Sequence, residues 1–334
     1  MTLPITDLYE SRVERDAAII TRREPIVHRD DADYVAPEVL SAGQLEGYER
    51  DGFLFLPDFF SAREVAVLLA EVDSMAKDPK LAGREEVIVE PESKAVRSIF
   101  MVHRLNKLMG NLARDARLAG IAQQILDSDV YIHQSRVNIK PQFEGKEFYW
   151  HSDFETWHVE DGMPGMRALS CSILLTDNNA VNGPLMLIPG SHAYFISCVG
   201  ETPDDHYKQS LRRQEYGVPD NDSLRMLTAN AGIRAIEGAA GSVVFFDCNT
   251  MHGSNSNISH HPRTNIFMVY NSVHNRLADP QFGLKPRPEC IAARDSVTAV
   301  KPLQLDEAFR PRQDTGRPEQ TSREYEQAAL FAEN

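Results

Sequence analysis

Between residues 130 and 272 no single apolar period is sustained; the chain breaks into short runs rich in β-branched and aromatic residues. These runs lie at 131–139, 148–152, 168–175, 184–188, 242–247 and 264–272. Turn residues punctuate them: Asp161-Gly162, Asn182-Gly183-Pro184, Pro189-Gly190-Ser191, Gly238 and Gly241. Short strands at this rhythm predict a mainly β fold, a sandwich or barrel. Such a sheet needs a cover, and the sequence before residue 130 offers one. Ser61-Ala62-Arg63-Glu64 is a capping box, in which the Ser61 hydroxyl caps the helix and Glu64 reaches back. Val65, Leu68, Leu69, Val72 and Met75 then repeat at helical spacing, as a core-facing stripe does. A further helix is expected over 114–126, and residues 44–48 and 52–57 read as a helix leading into a short strand.

The organisation is that of one domain over residues 1–334. Residues 1–41 are charged and aperiodic and predict an extended arm with one short helix near 7–18. Residues 197–234 interrupt the strand rhythm with a polar insertion, expected to lie over the site. Residues 304–334 form a polar tail with one weakly amphipathic run at 324–331. At 42% hydrophobic residues the chain can bury a core. Its net charge of -14 argues against nucleic acid and against anionic membrane surfaces, since both reward clustered Lys and Arg. The four cysteines form no C-x-x-C pair and read as free, buried thiols of a reducing compartment. Met1 to Asp7 contains no apolar leader segment, and no run approaches the roughly 20 apolar residues of a membrane helix. These features predict a cytoplasmic protein.

The chemistry concentrates in Phe148-Tyr149-Trp150-His151-Ser152-Asp153. On a strand, residues i and i+2 share a face, so His151 and Asp153 can reach one ion. His252, in Met251-His252-Gly253-Ser254, supplies a second imidazole. Two His and one carboxylate form the facial triad of non-haem Fe(II) oxygenases, which leaves coordination positions open. Arg263 opens the strand after His252 and can fork to the carboxylate of an acidic co-substrate. Other histidines read as structural: His192 follows a tight turn, His260-His261-Pro262 looks like a solvated loop, and His158 falls on the strand face opposite Asp153. A zinc hydrolase lacks its marks here, since there is no H-E-x-x-H helix or clustered Cys set.

Residues 148–164, Phe-Tyr-Trp-His-Ser-Asp-Phe-Glu-Thr-Trp-His-Val-Glu-Asp-Gly-Met-Pro, resemble the signature segment of the ectoine hydroxylases. These are a branch of the phytanoyl-CoA dioxygenase-like Fe(II)/2-oxoglutarate enzymes. The resemblance runs from about residue 52 to 287 and takes in Gln134 to Lys140, Asn182 to Met186, Pro189 to His192 and His252 to Ser254. It implies a double-stranded β-helix, the cupin-like jelly roll, flanked by N-terminal helices. It further implies Fe(II) on His151, Asp153 and His252, and 2-oxoglutarate on Arg263 with Lys140 and Ser254. Dioxygen is the second co-substrate. Gln134, Thr156, Trp157 and Arg287 are implied for ectoine, and a homodimer for the assembly. The implied reaction converts ectoine to 5-hydroxyectoine with release of succinate and CO2, in compatible-solute synthesis under osmotic stress.

Residue chemistry bears on those roles separately. Ectoine carries an amidinium and a carboxylate, so a flat aromatic such as Trp157, four residues past Asp153, suits the cation. Without the resemblance, Trp157 also reads as a core aromatic, Arg287 as a surface arginine, Lys140 as a strand-end lysine and Ser254 as a turn hydroxyl. Two alternatives remain: a hydroxylase of proline or another small amino acid, and a non-catalytic cupin-like binding protein. The first lacks a need for Trp157, the second for Arg263.

Overall fold

The computed structural model describes residues 7–12, 17–29, 33–90, 93–200, 202–203, 217–295 and 297–304. Strand β1 (Ala18–Thr21) precedes α1 (Ala42–Asp51), β2 (Phe53–Leu56) and α2 (Ala62–Lys77). The Ser61 capping box is formed, and Val65, Leu68, Val72 and Met75 are buried, as their spacing predicts. The strands β3 (Val87–Val89) and β4 (Val96–Phe100) lead to three short helices, α3 (Val102–Leu105), α4 (Lys107–Leu112) and α5 (Ala116–Leu126). Asp115 caps α5 by accepting from the Arg117 N–H.

The β region follows: β5 (Val130–Lys140), β6 (Phe148–His151), α6 (Asp153–Asp161), β7 (Ala168–Leu174), β8 (Leu185–Leu187) and β9 (Tyr194–Ser197). Then come α7 (Asn221–Ala231), β10 (Arg234–Ala235), β11 (Val243–Asp247), β12 (His252–Ser254) and β13 (Arg263–Ser272). A seven-stranded sheet runs β2-β11-β7-β13-β5-β4-β3, and a four-stranded sheet runs β10-β8-β12-β6. All pairings are antiparallel. This is a jelly roll with open edges, flanked by helices.

The larger sheet is buried on both faces. Val243 and Phe245 of β11 join the core under the helices, with Leu169, Cys171, Ile173, Ile266 and Met268. The alternate residues Val244 and Phe246 meet Leu185 and Leu187 of β8 in a second core between the sheets. A strand buried on both sides reads as a continuous apolar run, which is how Val243 to Phe246 appear.

Strand β5 carries the feature that places the site. Val269 of β13 pairs with Gln134, but the next residue, Tyr270, pairs with Ile132, so His133 is the extra residue of a β-bulge. Val130 and Ile132 before it face the helix-side core, and so do Val137 and Ile139 after it. The phase of the strand therefore shifts by one at His133. Gln134, Arg136, Asn138 and Lys140 consequently face inward, between the sheets.

One expectation is corrected. The described parts of residues 7–18 form no helix; Ala18 already begins β1, which pairs with β9. The arm is docked, with Tyr9, Ser11, Arg12, Arg22 and His28 buried. Within 197–234, α7 packs Leu227 and Leu224 against Ile188, Ile196, Met251 and Trp150. Residues 201 and 204–216 lie outside the described residues, as does the run at 324–331. The four cysteines are free and buried. Among the described residues no helix is long and apolar enough to cross a membrane.

Candidate metal and co-substrate site

His151, Asp153 and His252 converge, their ligand atoms all within 4.8 Å of one another. The route to this geometry differs from the sequence expectation. Strand β6 ends at His151, and Asp153 is the first residue of α6, with the Ser152 hydroxyl accepting from the Glu155 N–H. The two residues meet across a strand-to-helix junction instead of along one strand. His252 comes from the neighbouring strand, directly paired with His151.

Each imidazole is oriented by its own backbone. His151 Nδ1 lies 2.8 Å from the Tyr149 carbonyl, and His252 Nδ1 lies 2.9 Å from that of Thr250. A carbonyl can only accept, so the proton sits on Nδ1 and Nε2 keeps its lone pair. Those Nε2 atoms stand 3.9 and 3.8 Å from Asp153 Oδ1. The other carboxylate oxygen accepts from the Ser170 hydroxyl at 3.1 Å. Burial, reinforced by His252, pushes the His151 pKa down to about 3, so the ring is neutral at physiological pH. Burial opposes ionisation of Asp153, but His252, His151, Arg136 and the Ser170 hydroxyl outweigh it and hold its pKa below the usual carboxylate value. Two imidazoles held by their Nδ1 atoms and one carboxylate, each with one atom free, are a donor set that fits a divalent metal such as Fe(II).

Beyond the triad lie three basic side chains, of which Lys140 and Arg263 are buried. Arg263 and Lys140 are cross-strand neighbours at the ends of β13 and β5. Lys140 Nζ donates to Ser254 Oγ at 2.8 Å and to the Asn255 carbonyl. Arg263 Nη2 donates to Asn138 Oδ1 at 2.9 Å, while its buried Nε has no partner. Arg136 donates to Gln134 Oε1 at 2.9 Å and lies 4.7 Å over the Phe267 ring. Among the described residues none of the three has a carboxylate within ion-pair distance. Burial, then Arg263 and Arg97, push the Lys140 pKa down to about 6, and burial with Arg136 lowers Arg263 to about 10. Buried charge without a counter-charge is costly. A dicarboxylate such as 2-oxoglutarate would supply the missing anions, so these residues fit it.

The residues implied for substrate come from β5, α6 and the segment after β13. Trp157 follows Asp153 by four positions on α6, so helical spacing, not strand alternation, gives them a common face. Its ring packs among Tyr9, Phe154, Met163, Met166 and Phe195, and stands edge-on to His133 at 4.9 Å. It is thus a core aromatic as well as a neighbour of the site. Thr156 Oγ1 accepts from Arg12 Nη2 at 3.1 Å. Gln134 is committed at both ends, donating to the Ile291 carbonyl at 2.7 Å while accepting from Arg136. Arg287 is not the surface residue that sequence chemistry alone suggests. Its side chain is only 7% exposed and forks to Asp161 with Nε at 2.7 Å and Nη2 at 2.5 Å, with its Nη1 3.7 Å from Glu160.

The bland histidine readings mostly hold. His192 Nε2 meets the Glu49 carbonyl at 3.0 Å. His158 does point away from the triad, though as a helical residue, and binds Asp7 at 3.0 Å. Sequence reasoning missed Arg136, Asn138 and Ser170. The first two alternate with Gln134 and Lys140 along β5, and period-two spacing could have found them. His133 depends on the bulge, which leaves no such signal.

Residues 48–265 match the profile of the family described as phytanoyl-CoA dioxygenase. The chain belongs to the phytanoyl-CoA dioxygenase family. Within that family, an ectoine dioxygenase from Bordetella bronchiseptica is 64% identical over 91% of this chain and 97% of its own. One from Stutzerimonas stutzeri is 54% identical over 90% of this chain and 97% of its own. The crystal structure of EctD from S. alaskensis with 2-oxoglutarate and 5-hydroxyectoine superposes with a TM-score of 0.79 at 47% identity, covering 90% of this chain and 99% of that one. EctD from S. alaskensis has also been solved with bound Fe.

Proposed function

We propose that the protein is an ectoine hydroxylase, using Fe(II), 2-oxoglutarate and dioxygen to convert ectoine to 5-hydroxyectoine. The observation that carries this reading is the juxtaposition of a two-His, one-carboxylate triad with buried cations that lack acidic partners. The kinship to ectoine dioxygenases supplies the substrate.

His151, Asp153 and His252 would hold the metal through Nε2, Oδ1 and Nε2. Bound iron, with its co-substrates, supplies the oxidising power that turns a C–H of ectoine into C–OH while 2-oxoglutarate becomes succinate and CO2. The chain's own residues bind and orient. Arg263 forks to the far carboxylate of 2-oxoglutarate, and Lys140 and Ser254, already joined, assist. Trp157 offers its face to the amidinium, a contact of roughly 0.5–2 kcal/mol when desolvated. Thr156 and Gln134 orient the ring. Arg287, held by Asp161 through Nε and Nη2 with its Nη1 3.7 Å from Glu160, is the cation assigned to the substrate carboxylate. Low exposure of the triad and of Arg263 excludes bulk water and strengthens each of these charged contacts. A non-catalytic cupin would leave the buried Arg263 and Lys140 without a purpose.

The test is direct. Purified protein with Fe(II), 2-oxoglutarate and ectoine should release succinate and 5-hydroxyectoine in equal amounts by mass spectrometry. Succinate release stimulated by proline and not by ectoine would transfer the reading to a small-amino-acid hydroxylase. We further propose, as the sequence resemblance implies, a cytoplasmic homodimer serving osmolyte synthesis; a monomer mass by light scattering would overturn the dimer.

A further inference from the structure

Residues 7–12 are docked against α6 along its length. Asp7 accepts from Gln281 Nε2 at 2.8 Å and pairs with His158. Tyr9 stands edge-on to Phe154 at 5.7 Å, and Ser11 donates to Glu155 Oε1 at 2.7 Å. Arg12 makes the densest contact. Its Nε and Nη2 fork to the two Glu155 oxygens at 3.0 and 2.9 Å, and its Nη1 reaches Glu160. The same guanidinium donates to Thr156 Oγ1 at 3.1 Å and Thr202 Oγ1 at 2.9 Å. Its side chain is 1% exposed.

The backbone is arranged to keep that fork in place. Arg12 adopts φ 55, a left-handed conformation seldom taken by non-glycine residues, and its N–H donates to the Cys198 carbonyl at 2.7 Å. Gly217, at φ 65, passes so close that a Cβ there would lie 2.3 Å from Glu155 Oε2 and 2.8 Å from Arg12 Nη2. The arm and both described flanks of residues 204–216 therefore meet at one ion pair. Beneath it, α6 begins with Asp153 and carries Thr156 and Trp157. Glu155 and Glu160 are both buried, and a buried carboxylate must be paired.

We infer that Arg12 is a positioning residue for the hydroxylation. By pairing Glu155 and Glu160 and fixing the Thr156 hydroxyl, it sets the rotation and height of α6, and so the placement of Thr156 and Trp157 against the substrate. It touches neither the metal ligands nor the reacting carbon. This inference rests on the ectoine reading above, and it makes the charged N-terminal arm part of the substrate pocket's frame.

The experiment compares full-length wild type with Arg12→Gln and Arg12→Lys. Lys keeps the charge but cannot fork to a carboxylate. Misplaced binding groups lower kcat/KM far from the reacting atoms, by as much as about a hundredfold per ångström. Arg12→Gln should therefore lower kcat/KM for ectoine about tenfold or more through KM. The KM for 2-oxoglutarate should move little, and more than one succinate should form per hydroxyectoine. Arg12→Lys should show the same split at smaller size. The chain has 2 tryptophans, so a Trp150→Phe background makes Trp157 the sole reporter of ectoine binding, independent of turnover. If Arg12→Gln does not fold, Arg12→Lys in that background carries the test. A lower melting temperature with unchanged ectoine KM, tight coupling and an unshifted fluorescence titration would overturn the inference. Wild type that binds iron and 2-oxoglutarate but leaves ectoine unaltered would instead sink the substrate reading.

Discussion

Lys140 gives 2-oxoglutarate binding a pH dependence whose sign can be worked out. Its ammonium faces Arg263 and Arg97, with Glu147 the acidic group acting on it, and its hydrogen bonds go to the Ser254 hydroxyl and the Asn255 carbonyl. Burial is the largest cause that brings its pKa to about 6. At pH 7 roughly one molecule in ten then carries the charge. A dianion bound beside it favours the charged form, so the bound pKa rises. The complex holds a proton that the free protein lacks, and binding takes one up. Affinity should therefore be flat below pH 6 and weaken about tenfold per unit above it, up to the bound pKa. The dicarboxylate itself does not titrate in that range. Calorimetry on protein saturated with a redox-inert divalent metal, from pH 6.5 to 8.5 in two buffers of different ionisation enthalpy, reads both affinity and proton uptake. Lys140→Arg should bind with little pH dependence, because its guanidinium stays charged throughout. Equal affinity at both ends of the range, with no proton uptake by wild type, would refute the reasoning.

Replacing His252 by Ala removes one of three metal donors, and the purified variant should lose iron on dialysis as well as activity; stoichiometric iron with normal turnover would contradict the triad. Arg136→Leu deletes a cation that has no carboxylate within ion-pair distance among the described residues, so stability of the metal-free protein in urea should hold or rise, by up to about 1–2 kcal/mol, while 2-oxoglutarate turnover falls. A clear loss of stability would show that the charge is compensated within the fold. Gly162→Ala caps α6 wrongly: at φ 70 its Cβ would stand 2.4 Å from the Ala278 carbonyl. That variant should lose about 1–3 kcal/mol in denaturant melts, and wild-type stability would mean that the 277–279 loop moves aside freely.

Much of the β scaffold could be read from the chain because its strands are apolar and its turns are chemically marked. The runs at 131–139, 168–175, 242–247 and 264–272 each fall within a residue or two of an observed strand. The short strands β3 and β4 escaped notice because Glu85, Glu86, Glu90 and Arg97 mask them as polar. The arm misled for a related reason. Hydropathy separates charged from apolar residues, but it cannot distinguish a solvated Arg from one like Arg22, whose Nη1 lies 2.8 Å from a buried Asp247. At the triad the correct residues followed from an incorrect backbone. A His-x-Asp triplet brings its side chains together along a strand, and it does so equally where Ser152 stops the strand and starts a helix. His133 was hidden more deeply, because the bulge that pairing across β13 creates decides which way it points, and pairing is a long-range property.

The extra residue in β5 splits that strand into two independent halves. Upstream, hydrocarbon side chains anchor it beneath the helices; downstream, the inward positions hold only polar and charged groups. Removing His133 from the chain would rotate one half relative to the other, turning a guanidinium and an ammonium into the greasy layer and valine toward the anion. Ordinary point changes downstream, by contrast, can retune which acid is accepted without disturbing the anchorage. A lineage seeking new chemistry on this scaffold therefore has freedom to vary the polar half and almost none to shorten the strand.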